Sequence, residues 1–176
     1  QALKDILVEN GVEEEKISVL PNAVDSSKFN IAPKDKKLES ELGFEGKVVI
    51  GYIGSFVEYE GLDLLLEACS ILKEKHGDIF RLLLVGDGDT MQLLRRTARF
   101  LQLEDQVVFT GRIPHDDVQR YYSLIDIAPL PRKGLRVCEL VSPLKPFEAM
   151  GAGKVLITSS VQALAEIVED GVTGMI

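Results

Sequence analysis

Apolar runs without alternation recur along this chain and predict strands that are buried on both faces of a sheet. The clearest are VVIGYIG from Val48, RLLLVG from Arg81 and KVLITS from Lys154. Both faces of a strand are covered when helices pack on each side of a parallel sheet. The pattern therefore predicts an α/β fold with a doubly wound, Rossmann-like parallel sheet.

Amphipathic segments alternate with these runs and complete a strand-helix order. The predicted strands are Ile17–Leu20, Val48–Gly54, Arg81–Gly86, Gln106–Gly111, Ile125–Leu130 and Val155–Ser159. The predicted helices are Ala2–Glu9, Leu62–Lys75, Asp89–Leu101, Asp116–Ser123, Leu144–Met150 and Ala163–Glu169. Lys34–Gly46 is polar and predicts a linker or surface excursion, and Pro131–Ser142 predicts a basic loop. In such folds ligands lie beyond the carboxyl ends of the strands.

Composition narrows the class of protein. The 176 residues, 45% of them hydrophobic, suit one globular domain. A net charge of −8 argues against general nucleic-acid binding. A local basic patch, formed by Arg132, Lys133, Arg136 and Lys145, favours a small anionic ligand. No run of eighteen apolar residues is present, so we expect a cytoplasmic protein, which the rest of the chain could bring to the inner face of a membrane.

The cysteines, histidines and acidic residues give no metal or redox signal. Cys69 and Cys138 are too few and too far apart to indicate a disulfide framework or a zinc site, and they predict packing residues. His76 and His115 are expected at the surface. No Asp-x-Asp pair suits a metal. We therefore expect no metal and no cofactor.

The stretch SPLKPFEAMGAGKVLITS, from Ser142 to Ser159, concentrates the candidate chemistry. Ser142 is expected to cap a helix whose first turn would offer amides to an anion. Lys145 and Glu148 are three residues apart and share a helix face. One could hold a phosphate while the other accepts hydroxyl hydrogen bonds from a ribose or hexose.

Glycine-rich turns are weaker signals. Gly86 and Gly88 follow a strand and precede a helix, and either loop geometry or a nearby nucleotide would explain them. The segment from Gly51 to Gly54 lacks the third glycine of a dinucleotide fingerprint, and no P-loop is present. NAD-binding and ATP-hydrolysing classes are therefore disfavoured. The acidic loop from Glu58 to Gly61 predicts a solvated loop.

Five motifs in register resemble the carboxyl-terminal, nucleotide-sugar-binding domain of glycosyltransferase family 4, the retaining enzymes with the GT-B fold. They are Pro21-Asn22-Ala23-Val24-Asp25 with Phe29, Ile53-Gly54-Ser55, Leu84-Val85-Gly86-Asp87-Gly88, Phe109-Thr110-Gly111, and Phe147-Glu148-Ala149-Met150 with Gly153. The resemblance covers the chain from about Ile17 onward. Residues 1–16 are expected to be a connecting helix and linker, and residues 17–176 a donor-binding domain that is truncated at its carboxyl end.

The resemblance implies roles for individual residues. Glu148 matches the glutamate that takes the ribose hydroxyls, Lys145 a diphosphate contact, and Gly54 the glycine whose backbone approaches the phosphates. The loop Gly111–Pro114, with Arg112 and Ile113, matches the base-binding edge. The remaining candidates for the nucleotide-sugar site are Ser55, Gly86, Gly88, Arg132, Arg136, Ser142 and Leu144.

Two positions depart from the family pattern. The usual Glu-x7-Glu becomes Glu-x8-Glu between Glu139 and Glu148, with Leu140 at the usual place of the first glutamate. The usual arginine and lysine around the first glycine-rich loop are replaced by Ser55 and Glu60. Positive charge is then expected from Lys145, Arg132 and Arg136. These departures resemble a bacterial exopolysaccharide-type branch of the family.

The implied function is transfer of a hexose from a nucleoside diphosphate sugar to a glycan or lipid-linked acceptor. Lys145 and Glu139 are the catalytic candidates, the first by stabilising the leaving diphosphate and the second by approaching the donor sugar. An absent amino-terminal domain of the same protein would supply the acceptor site, so this chain alone is expected to be inactive. A nucleotide-sugar epimerase of related fold and a non-catalytic nucleotide-binding or scaffold module remain the alternatives.

Overall fold

The computed structural model describes residues 2–176 and contains one five-stranded sheet in which every pairing is parallel. The strands are β1 (Val48–Ile53), β2 (Phe80–Val85), β3 (Val107–Gly111), β4 (Ile127–Leu130) and β5 (Val155–Thr158). Their order across the sheet is β3-β2-β1-β4-β5. The predicted doubly wound α/β class is confirmed, because the apolar runs occupy strands that helices cover.

In the described part of the chain, residues 2–176, eight α-helices connect or flank the strands. They are α1 (Ala2–Glu9), α2 (Lys36–Glu41), α3 (Leu62–His76), α4 (Met91–Phe100), α5 (Val118–Leu124), α6 (Arg136–Leu140), α7 (Lys145–Gly151) and α8 (Gln162–Ala165). Short 3₁₀ turns occupy Glu14–Lys16, Glu58–Glu60 and His115–Asp117. Within residues 2–176, none of the helices combines the length and the apolar character that a membrane crossing needs.

The core lies on both sides of the central strands. Leu82, Leu83 and Leu84 of β2 are fully buried, and α3 covers the sheet with the face that carries Leu66 and Cys69. Both cysteines are buried and free, as predicted for packing residues. The absence of alternation in β2 thus reflects burial of successive side chains on opposite faces of the sheet.

Several predicted elements need correction. Residues 17–20 form no strand, and Asn22 just beyond them donates from Nδ2 to the carbonyl of Ser142 at 2.9 Å. The polar segment 34–46 contains α2, which the Asp35 carboxylate caps and which the buried Leu38 anchors. The helix predicted at Ala163–Glu169 is shorter and corresponds to α8, Gln162–Ala165. The basic loop 131–142 contains α6, whose Cys138 is completely buried.

The strand order reverses between β1 and β4, and the loops that follow these two strands meet there. Gly61, after β1, has a φ of 71°, and a Cβ at this position would lie 1.9 Å from the carbonyl oxygen of Pro131 after β4. Only a glycine allows this backbone contact. Because ligands of open α/β sheets bind where the strand order reverses, this junction is the place to look for a site.

Candidate functional site

The loops after β1 and β2 pack backbone against backbone. A Cβ on Gly86 would lie 1.9 Å from the carbonyl oxygen of Gly54, and one on Gly88 would lie 2.3 Å from that of Phe56. The predicted glycine turn therefore has a direct packing reason, since a side chain at either position would separate the two loops. This packing fixes the edge of the sheet at which the strands end.

A groove of about 410 Å³ runs along this edge. Gly54, Ser55, Gly86, Arg112 and Ile113 are among the residues that line it. The Arg112 guanidinium is largely exposed and lies 3.8 Å from the carboxylate of Asp87, which also lines the groove. Five of the predicted site residues thus share one groove, which brings the predicted phosphate-binding and base-binding residues together.

Glu60 lies at the centre of a buried charge cluster, which we define as Glu60, Arg132 and Lys145. Its side chain is 3% exposed, and its Oε1 accepts from Arg132 Nη2 and from Lys145 Nζ, each at 3.0 Å. Burial would raise the pKa of Glu60, but the two cations hold it below its ordinary value. The prediction of a solvated acidic loop is wrong for Glu60, although Glu58 is exposed.

Arg132 is buried and bonded within this part of the protein. The residue is 8% exposed, its Nη1 donates to the carbonyl of Val141 at 3.0 Å, and its guanidinium carbon lies 5.8 Å from the centre of the Tyr59 ring. Arg132 was predicted to contact a phosphate directly. Both terminal nitrogens of Arg132 already bond to protein oxygens, so in this structure Arg132 neutralises Glu60 and joins the loops after β1 and β4.

Lys145 lies against Gly54, one of the residues that line the groove. Its side chain crosses Gly54, where a Cβ would lie 2.4 Å from the lysine Cε, and its Nζ lies 5.3 Å from the centre of the Tyr52 ring. Burial first, and the negative charge of Glu60 second, raise the pKa of the Tyr52 hydroxyl, which donates to the carbonyl of Ser55 at 3.0 Å. The lysine ammonium therefore lies at the carboxyl end of β1, beside the predicted phosphate position.

The start of α7 differs from the prediction. The N-cap residue is Leu144, with no side-chain capping bond, so Ser142 does not cap the helix. Pro146 has no N–H to offer, and the N–H of Phe147 donates to the carbonyl of Leu144 at 3.0 Å. The turn therefore presents fewer free amides than expected, and the side chain of Lys145 is its main contribution of positive charge.

Glu148 is held from the side by Tyr122, a residue that the sequence analysis did not single out. The Tyr122 hydroxyl donates to Glu148 Oε2 at 3.1 Å, and the edge of its ring packs on Phe29 at a centroid distance of 5.8 Å. Burial, followed by the charge of Glu148, raises the pKa of Tyr122. The Phe29 of the amino-terminal motif thus supports the predicted ribose-binding glutamate through an intervening tyrosine.

The two remaining candidates lie in α6. Arg136 is exposed at the first residue of this helix. Glu139 accepts the backbone N–H of Gln162 at 2.6 Å and so ties α6 to the start of α8. Within residues 2–176, no group of three or more His, Cys, Asp or Glu side chains is arranged to hold a metal.

Comparisons with known proteins agree with this architecture. The sequence profile of the family described as glycosyl transferases group 1 matches residues 47–176. The amylovoran biosynthesis glycosyltransferase AmsK of Erwinia amylovora is 28% identical over 169 residues, with 96% of this chain and 40% of that protein covered. The 2-deoxystreptamine glucosyltransferase of Streptomyces kanamyceticus is 30% identical over 155 residues, with 84% of this chain and 40% of that protein covered.

Solved structures show the same fold. Anabaena Alr3699/HepE, crystallised with UDP-glucose, superposes with a TM-score of 0.82 at 23% identity, over 98% of this chain and 46% of that one. This chain therefore spans about two fifths of the length of the two curated relatives described and somewhat less than half of that structure. The profile match, which takes in every strand of the sheet, shows that the chain belongs to the group 1 glycosyltransferase family.

Proposed function

We propose that this chain is the donor-binding domain of a retaining glycosyltransferase that moves a hexose from a nucleoside diphosphate sugar to a glycan or lipid-linked acceptor. The observation that carries the proposal is Lys145, whose ammonium lies across Gly54 at the point where the strand order reverses. Family membership supports the reaction class, and the UDP-glucose bound to HepE supports the class of donor.

The proposed chemistry is stabilisation of the leaving group. As the bond between the anomeric carbon and the diphosphate lengthens, negative charge grows on the diphosphate oxygens. A pre-positioned ammonium that meets this charge stabilises the transition state more than the bound donor. In the proposal Lys145 supplies that ammonium, and Glu148, fixed by Tyr122, accepts the ribose hydroxyls.

In the proposal the groove receives the rest of the donor. Arg112 and Ile113 would contact the base, and Gly54 and Ser55 the phosphates. A contact between Glu139 and the donor sugar remains a prediction, as do nucleotide contacts by Gly86, Gly88, Arg132, Arg136, Ser142 and Leu144. The acceptor site and a closing amino-terminal domain belong to the proposed complete protein, where membrane association would also reside.

Titration calorimetry tests the proposal. UDP, GDP and UDP-glucose are titrated into the wild-type chain, into Lys145→Ala and into the control Lys133→Ala, whose lysine pairs with Asp63 at 2.7 Å. We expect binding of at least one nucleotide, a loss of about tenfold or more in Lys145→Ala, and little change in the control. Absence of binding at millimolar nucleotide would favour a scaffold module. Product analysis on the complete protein separates a transferase from an epimerase.

A further inference from the structure

The charge cluster has a net charge of one positive, because the Glu60 carboxylate neutralises one of its two cations. A phosphate pocket would ordinarily keep all of its positive charge for the anion. Both cations share Oε1, and among residues 2–176 Oε2 accepts no hydrogen bond although it is buried. Buried carboxylate oxygens ordinarily have partners. The charge of Glu60 also acts beyond the two cations, because, after burial, it is the next cause that raises the pKa of the Tyr52 hydroxyl.

The two cations are not equivalent. Arg132 donates to Glu60 and to the Val141 carbonyl and is buried, whereas the Lys145 side chain is 19% exposed and crosses Gly54 in the groove. An ammonium has three donors, and Glu60 takes one of them. Lys145 can therefore keep its bond to Glu60 and still donate to an anion in the groove.

The close approach of the two loops fixes the position of Glu60. Gly61 follows it directly and is pressed against the carbonyl of Pro131, while Arg132 comes next in the opposing loop. The contact between the loops after β1 and β4 therefore fixes the backbone beside Glu60, from which the carboxylate bonds to both cations. An anion that enters the groove meets this negative charge close behind the lysine that binds it.

We propose that Glu60 is an internal counter-ion, which positions the Lys145 ammonium and at the same time limits how tightly the groove holds a diphosphate. The inference rests on the proposed function, because it needs Lys145 to bind the diphosphate. Two unit charges about 8 Å apart at an effective dielectric constant of about 20 change an equilibrium constant by about tenfold or more. A fixed negative charge at this place lowers the affinity of every anion in the groove by a factor of that order.

The charge of Glu60 is expected to lower the affinity for the product more than the affinity for the donor. In the sugar nucleotide the terminal phosphate is esterified, whereas in the released nucleoside diphosphate it ionises a second time near neutral pH. The product therefore carries the greater negative charge, and Glu60 disfavours it more than it disfavours the donor. The expected consequence is faster release of the nucleoside diphosphate after transfer.

The test uses inorganic pyrophosphate as the probe, titrated at low ionic strength into the wild-type chain and three variants: Glu60→Gln, Lys145→Met and the double variant. We expect Glu60→Gln to bind pyrophosphate about tenfold more tightly. The same relative gain is expected when the double variant is compared with Lys145→Met, because the repulsion between Glu60 and the anion acts through space. Damage to the fold cannot produce tighter binding, so this direction separates the proposal from a merely structural role.

A second pair of variants covers the case in which Glu60→Gln does not fold, since it leaves two cations without their carboxylate. Arg132→Gln is compared with Arg132→Gln/Glu60→Gln, in which only the partly exposed Lys145 stays charged. The double variant should again bind pyrophosphate about tenfold more tightly than the single one. Equal or weaker binding after loss of Glu60, in whichever pair folds, overturns the proposal. Unchanged binding in Lys145→Met overturns the proposed phosphate site itself.

Discussion

Replacement of Arg132 by methionine should destabilise the domain strongly, because it removes one of the two cations that neutralise the buried Glu60. Breaking a buried ion pair by removing one partner costs about 3–5 kcal/mol when the other charge is left uncompensated. Lys145 still donates to Glu60 at 3.0 Å, so we expect a loss somewhat below this range, about 2–3 kcal/mol. That is a large fraction of the roughly 5–15 kcal/mol that holds a typical domain folded.

Urea unfolding followed by circular dichroism measures the effect. With a slope of about 2 kcal/mol per molar urea, the midpoint of Arg132→Met should fall by roughly 1–1.5 M. The matched control is Lys133→Met, the next residue, whose pair with Asp63 has side chains 26% and 38% exposed. Such a pair contributes about 1 kcal/mol or less. The double variant Glu60→Met/Arg132→Met should recover most of the loss, since it leaves no buried carboxylate without its partner.

The reasoning would be refuted by an Arg132→Met midpoint equal to that of wild type, or by equal losses in Arg132→Met and Lys133→Met. Either result would mean that Glu60 is well solvated in solution. The cluster would then be an ordinary surface network, and the counter-ion role inferred for Glu60 would lose its physical basis.

Three further outcomes are expected. Gly61→Ala should cost about 2 kcal/mol or more in urea unfolding, because its Cβ meets a backbone carbonyl at 1.9 Å; Gly43→Ala, at a similar φ of 67° with nothing within 4 Å, should cost about 1 kcal/mol. Tyr122→Phe should weaken UDP binding about three- to tenfold in calorimetry, because Glu148 loses the hydroxyl that orients it, and an unchanged affinity would contradict that role. Folding lowers the pKa of Glu60 from 4.5, so the stability that this carboxylate contributes is complete above pH 4.5 and is lost as the pH falls through the lower pKa of the folded chain. Wild type should therefore lose more stability on acidification than Glu60→Gln, and urea midpoints measured at several pH values test this.

The sheet could be predicted from the sequence because its signal is local. Strands covered on both faces need uninterrupted apolar residues, and RLLLVG and VVIGYIG supply them. The expectation of a site at the carboxyl ends of the strands follows from a general rule for open α/β sheets, whereas the strand order β3-β2-β1-β4-β5 could not be predicted from the sequence. Lys145 and Glu148 could be singled out for the same reason, since their motif directly precedes a predicted strand.

Glu60 could not be predicted to be buried. The segment Glu58-Tyr59-Glu60-Gly61 is polar and typical of a solvated loop, and its neutralising partners lie 72 and 85 residues away in the chain. A buried charge is tolerated only when such partners are present, and sequence proximity gives no sign of them. The family comparison marked Glu60 only as a missing lysine.

Helix α6 was missed for a related reason. It has five residues, and Cys138 is the one that it buries, so no helical period can be recognised in the sequence. Its position depends on contact with α8 and on the Glu139 bond to Gln162. The capping role expected for Ser142 was wrong because the chain enters α7 two residues later, at Leu144.

The central claim is that Lys145 grips the diphosphate of a sugar nucleotide at the carboxyl end of β1. A crystal structure of this chain with UDP bound tests it most directly. The account predicts a diphosphate oxygen about 2.7–3 Å from Lys145 Nζ, with the phosphates beside Gly54 and Glu148 on the ribose hydroxyls. A UDP molecule whose phosphates lie elsewhere, with Lys145 Nζ still bonded only to Glu60, would contradict it.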